Sequence, residues 1–171
     1  GLTNTDLSSV CESLLQTHQV IFRPHPEDVK RNKIAINQIA DKYKNDPNFI
    51  LDVNPENFKS LEESCLMITD AGGIFLEYLF AFEKPVIFLE GYEKVHNSNF
   101  NNVSNQTFEE NVKSKFCLSI IKDDLKEVDR HINFCLSQNY LDDMKKKLRE
   151  SGNLFANRGN VAEIIYKNLN I

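Results

Sequence analysis

A chain of 171 residues that is 41% hydrophobic and 26% charged holds enough material for one globular domain with its own core, which excludes a disordered linker. Its net charge of −5 argues against nucleic acid as the main partner, because a phosphate backbone calls for a clustered basic face; a basic pocket for a single phosphate group stays open. No apolar run approaches the ~18–20 residues that span a bilayer, and no secretory leader is recognisable after Gly1-Leu2-Thr3.

Helical and strand patterns alternate along the chain. Leu7, Val10, Cys11, Leu14 and Leu15 have helical spacing behind a cap at Thr3 or Thr5. Gln19 to Phe22 reads as a strand that ends in Arg23-Pro24-His25-Pro26, where two prolines stop it. Ile36, Ile39, Ala40 and Tyr43 mark a helix closed by Asp46-Pro47; Phe49 to Val53 is a short strand, Asn54-Pro55 a turn, and Phe58 and Leu61 lie on a short helix. Cys65 to Ile68 is an unbroken apolar run suited to a parallel strand covered on both faces. Thr69-Asp70-Ala71-Gly72-Gly73 follows it, then an apolar helix over Ile74 to Phe82 and a buried strand over Val86 to Leu89.

Residues Gly91 to Lys115 are polar and asparagine-rich and read as a long loop with room for one short helix. Phe116 to Ile121 is the last strand. Leu125, Val128, Ile132, Cys135 and Leu136 make an amphipathic helix, Leu141, Met144 and Leu148 a second, and Val161, Ile164, Ile165 and Leu169 a third, with breaks at Gly152 and Gly159. The order is α-β-α-β-α-β-α-β-loop-β-α-α-α. Such alternation predicts an α/β fold, a Rossmann-like doubly wound parallel sheet with right-handed crossovers, in a single domain over residues 1–171. A sheet of this kind usually begins with a strand, so the opening helix is expected of a fragment of a longer chain.

The cysteines Cys11, Cys65, Cys117 and Cys135 are far apart and read as buried free thiols of a reducing compartment. Neither they nor the four histidines show ligand spacing, so no metal and no cofactor is expected. His18, His96 and His131 read as structural or solvated, Lys145-Lys146-Lys147 as a solvated helix face, and the glycosylation patterns at Asn102 and Asn105 as unused.

The sharpest chemical segment is Thr69-Asp70-Ala71-Gly72-Gly73, between a strand and a helix. Ligands of doubly wound sheets bind outside the carboxyl ends of the strands, a helix start offers free N–H groups and partial positive charge, and glycines let backbone approach an anion. The competing explanation of Gly72-Gly73 is tight strand-to-helix packing. Arg23 and His25 lie at another strand end: Arg23 can hold a phosphate with a two-pronged hydrogen bond, and His25 can donate to phosphate or move a proton, which makes it the candidate catalytic residue. Glu77 could accept from a ribose hydroxyl or face solvent. Glu90, ending the strand before Gly91, could bind sugar hydroxyls or sit in an ordinary turn.

Together, Arg23-Pro24-His25-Pro26, Leu66-Met67-Ile68-Thr69-Asp70-Ala71-Gly72-Gly73, Glu83-Lys84-Pro85-Val86-Ile87-Phe88 and the helix start Gly159-Asn160-Val161-Ala162-Glu163-Ile164 resemble the CDP-glycerol glycerophosphotransferase family, the teichoic-acid and capsule polymerases of GT-B type. The resemblance covers roughly residues 18 to 171. It implies the C-terminal, donor-binding half of a GT-B fold, with CDP-glycerol or another CDP- or UDP-linked group as substrate. Arg23 and His25 would contact donor phosphates, and Asp70 to Gly73 would hold the pyrophosphate. It further implies a polymer or lipid-linked acceptor held by an N-terminal half outside this chain, and a cytoplasmic protein peripheral to the membrane through such parts. The chain departs from the family's turn, with Ala71 for Tyr and Gly72-Gly73 for Ser-Ser, which leaves backbone N–H groups alone to meet phosphate. Asp70-Ala71-Gly72-Gly73 is also similar to the Asp-Ser-Gly-Gly turn of UDP-N-acetylglucosamine 2-epimerases, which would need Glu77 and Glu90 as acid and base. A non-catalytic α/β binding module is the third reading.

Overall fold

The computed structural model describes residues 4–56, 58–70, 72–90 and 107–151. The elements run α1 (Asn4–Leu14), β1 (Val20–Phe22), α2 (Pro26–Arg31), α3 (Lys33–Tyr43), β2 (Phe49–Leu51), α4 (Phe58–Glu63), β3 (Met67–Thr69) and α5 (Ile74–Phe82). They continue with β4 (Val86–Glu90), α6 (Phe108–Phe116), β5 (Leu118–Ile121), a 3-10 helix over Lys122–Glu127, α7 (Val128–Cys135) and α8 (Gln138–Glu150). Every pairing among these strands is parallel. β1 lies beside β2 with Ile21 opposite Ile50, and β3-β4-β5 form a second sheet with Ile68 opposite Ile87 and Leu89 opposite Ile120.

Alternation along β4 explains the layering. Successive strand side chains point to opposite faces. Val86 and Phe88 join one apolar cluster with Leu61, Phe75, Tyr78, Leu79, Val112 and Phe116, so α4, α5 and α6 cover that face together with Met144 and Leu148 of α8. Ile87 and Leu89 join the other, with Val10 and Leu14 of α1 and Val128, Ile132 and Cys135 of α7. A strand buried on both faces must be apolar throughout, and Val86 to Leu89 are all buried. Phe75 meets Phe88 edge-on at 4.9 Å between ring centres.

Helix α1 ties the two sheets. Its Val10 and Leu14 face the three-stranded sheet, while its Cys11, with Leu15 just past its end, joins Ile39 and Tyr43 of α3 over Val20, Phe22 and Phe49 of the two-stranded one. Val20 belongs to both clusters. Ser13 Oγ donates to Asp129 Oδ2 at 2.8 Å and fastens α1 to α7.

Several elements differ from the sequence expectation. The segment after Pro26 is a helix, α2, with Pro26 in its first turn, Glu27 and Asp28 near its start and Lys30 and Arg31 near its end, an order that suits the helix dipole. It buries none of its residues, so no apolar period announces it. The one short helix for which the asparagine-rich stretch left room is α6, which runs on through Phe116, expected as the start of the last strand; a capping box builds it: Thr107 Oγ1 accepts from Glu110 N–H, and Glu110 accepts from Thr107 N–H at 2.9 Å. The helix expected to include Leu125 starts as a 3-10 helix and becomes α7 at Val128. Cys65 falls in the bend before β3 and is exposed, against the expected buried thiol, whereas Cys11 and Cys135 are buried and Cys117 is half-buried. Thr5 lies inside α1. Thr3, Ala71, His96, Asn102, Asn105 and the helix read over Val161 to Leu169 lie outside the described residues. No helix among the described residues is long and apolar enough to cross a membrane, and no group of three or more His, Cys, Asp or Glu among them could hold a metal ion.

Candidate functional site

Strand β1 delivers Arg23 and His25 to its carboxyl end, but the two side chains have different tasks. Arg23 Nη1 donates to Asp52 Oδ2 at 2.5 Å and Nη2 to the Asn54 carbonyl at 2.6 Å. Asp52 stands just beyond β2, the neighbour of β1, so parallel pairing brings both strand ends to one edge. The Asp52 carboxylate also accepts from Ser60 Oγ of α4 and, at 2.9 Å, from Asn54 N–H. Burial pushes the Asp52 carboxyl up, but the hydrogen bonds from Ser60, Asn54 and Arg23 and the guanidinium charge outweigh it and hold the group below its ordinary value. This network joins β1, β2 and α4. Asp52, Asn54 and Ser60 escape a reading of motifs; the legible signal is a carboxylate two residues before Asn54-Pro55 at a strand's carboxyl end.

His25 caps α2. Its Nδ1 accepts from Glu27 N–H at 3.2 Å, which makes Nε2 the protonated nitrogen of the neutral ring. The residue is exposed, so that N–H is a donor for an acidic ligand.

At the end of β3 the chain reaches Gly72 with φ +103°, a conformation open to glycine and strained for L side chains. Gly73 has φ −78° and ψ −12° and stands at the N-cap of α5, with no side chain of its own to cap the helix. Among the described residues, a Cβ built on either glycine would meet nothing within 4 Å. Packing against the described strand and helix therefore does not explain the pair, which stands at the start of α5. Thr69 and Asp70 are half-buried in the same turn.

The two glutamates are not held as acid and base. Glu77 is exposed. Glu90 accepts from Lys113 Nζ of α6 at 2.5 Å, and that ammonium also lies 4.9 Å from the Phe88 ring centre. Burial pushes the Glu90 carboxyl up, yet hydrogen bonds from Lys113 and Ser119 and the Lys113 charge bring it below its ordinary value. Lys84, part of the motif before β4, is likewise committed: its ammonium donates to the carbonyls of Leu61, Glu62 and Ser64 at 3.1, 2.5 and 2.7 Å and closes the end of α4. His18 shares a hydrogen bond of 2.7 Å with Thr17. Lys147 pairs with Asp143 at 2.6 Å on an exposed face, as a solvated helix surface should.

An open depression of about 480 Å³ lies elsewhere, lined by Arg31, Asn32, Lys33, Ile34, Ala35 and Gln38 at the α2–α3 junction, and none of the expected site residues reaches it. The carboxyl end of β1 thus offers an exposed His N–H and a braced guanidinium, and the end of β3, in the other sheet, offers a helix start; each is a donor suited to anionic oxygen. A scan against protein-family models, a search of curated proteins and a search of solved structures find no match to this chain.

Proposed function

We propose that this chain is the nucleotide-donor-binding domain of a GT-B-type, CDP-glycerol glycerophosphotransferase-like transferase that builds a cell-surface polymer. The observation that carries the reading is the turn at Gly72 and Gly73: positive φ at the first, no described residue within 4 Å of a Cβ built on either, and the start of α5 directly behind. The first N–H groups and the positive end of a helix at a strand's carboxyl edge suit a pyrophosphate without any side-chain hydroxyl.

In this reading the N–H groups at the start of α5 and His25 Nε2–H bind the donor's pyrophosphate, with the open donors of Arg23 beside them. The acceptor attacks the activated group and the nucleotide leaves. Donors already aimed at the phosphate oxygens favour the charge that builds on the leaving group, and holding donor and acceptor together supplies much of the rest. The acceptor, a polymer or lipid-linked group, and its activating base belong to a partner half outside this chain, as does any attachment to the membrane surface. The epimerase alternative asks for two carboxylates as acid and base; the pairing of Glu90 with Lys113 and the exposure of Glu77 are why the transferase is preferred.

Gly73 gives a clean test, because its backbone angles suit any residue and no described residue lies within 4 Å of a Cβ built there. In calorimetric titrations with CDP, CDP-glycerol, UDP and UDP-N-acetylglucosamine, the wild type should bind the cytidine ligands best. Gly73→Val should keep its melting temperature and lose that binding at least tenfold. Equal affinity in the variant, or no affinity of the wild type for any of the four, would overturn the proposal; a preference for the uridine pair would move it to a UDP-sugar enzyme.

A further inference from the structure

We infer that Asp52 sets the charge selectivity of the phosphate site, so that the free nucleoside diphosphate loses much of its charge advantage over a donor with an esterified terminal phosphate. The inference rests on the donor-binding reading above.

A guanidinium carries five N–H donors. In Arg23 two are committed, one on Nη1 to Asp52 and one on Nη2 to the Asn54 carbonyl, which leaves Nε–H and one hydrogen on each Nη for a ligand. The pair is largely shielded, with side-chain exposures of 18% for Arg23 and 13% for Asp52, so water screens the two charges from one another poorly. The carboxylate is itself fixed by Ser60 and by Asn54 N–H, so it does not swing away when a ligand arrives. A phosphate at the open donors therefore meets a neutral pair in place of a lone cation.

That neutrality matters unequally to different ligands. The remaining donors make the same hydrogen bonds to any phosphate oxygen. Repulsion from Asp52, one guanidinium width further in, scales with the charge on the phosphate. A free terminal phosphate carries about −1.5 to −2 at neutral pH, whereas an esterified one carries a single charge. An isolated arginine would hold the spent nucleotide more tightly than the intact donor. With Asp52 beside it that advantage shrinks, and the nucleotide can leave.

The test is titration of wild type, Asp52→Asn and Arg23→Gln with two probe pairs that differ in the ester, CDP against CDP-glycerol and UDP against UDP-N-acetylglucosamine. Asp52→Asn keeps an acceptor for Nη1 without the charge, so it should bind the free diphosphates roughly 3- to 10-fold tighter, with a smaller gain for the esterified ligands. Arg23→Gln, which keeps the negative charge, should move the ratio the opposite way, and it decides the matter where Asp52→Asn does not fold. A loss of packing alone would change both members of a pair alike. Unchanged ratios in folded variants, with wild-type binding intact, would overturn the role of Asp52 and leave the donor-binding reading standing. Failure of the wild type to bind either member of both pairs would overturn the two together.

Discussion

At Gly72 the chain turns with φ +103°, and one residue later Gly73 adopts ordinary helical angles. The two glycines should therefore answer differently to the same change. Gly72→Ala places a Cβ on a left-handed residue and should cost about 1–2 kcal/mol, seen as a melting point roughly 2–8 °C lower. Gly73→Ala should melt with the wild type or slightly above it. The turn itself was legible in the sequence, from two glycines set between an apolar run and a helix. The state of Arg23 was not. Its partners Asp52 and Asn54 lie 29 and 31 residues away, and only the pairing of β1 with β2 brings them together. A motif tells which side chains are suited to phosphate, but it cannot tell which of them the fold already occupies.

The elements that the sequence announced are those that bury an apolar face: α3 through Ile36, Ile39 and Tyr43, α5 through Phe75, Tyr78 and Leu79, and β4 along nearly its whole length. Those it hid, or left room for without placing, are held by ends. Helix α2 has a His cap and a proline start, and α6 has a capping box, so their determinants are a few polar residues rather than a period. Lys84 shows how strongly an end can be fixed. Its ammonium serves three carbonyls at the close of α4 and lies 5.3 Å from the Phe82 ring centre. Lys84→Met keeps most of the apolar stem over that ring and removes the charge. It should destabilise the protein by about 1–2 kcal/mol in chemical denaturation, with α4 the first helix to lose amide protection. The Lys-Pro motif before β4 therefore has a fold-making role sufficient to account for it.

Across the whole molecule, alternation of helix and strand gave the α/β class and the parallel pairing. It did not give the division of the strands between two sheets, which α1 and the residue after it bridge by sending Val10 and Leu14 to one side and Cys11 and Leu15 to the other. The charge network is also a property of the whole, since Arg23–Asp52 ties β1 to β2 and Glu90–Lys113 ties β4 to α6. Both carboxyls are held below their ordinary values in the folded chain. Their contribution to stability is thus present above the unfolded-state values of about 3.9 and 4.3 and is lost as pH falls through the lower folded ones. Denaturant midpoints of the wild type should fall steeply below about pH 4, and an Asp52→Asn/Glu90→Gln double variant, less stable at pH 7, should fall less over the same interval.

The placement of the four thiols has a practical consequence. Burial pushes Cys11 and Cys135 up to about 11 and Cys117 up to about 12, so at neutral pH each stays protonated and unreactive. Cys65 alone is exposed, in the bend that leads into β3, whereas Asp70 and the glycine turn lie at that strand's opposite end. The natural chain thus carries one accessible handle for a maleimide dye, fixed to the strand that presents the turn yet set apart from it. A fluorophore attached there offers a test of the proposed nucleotide site without any engineered cysteine.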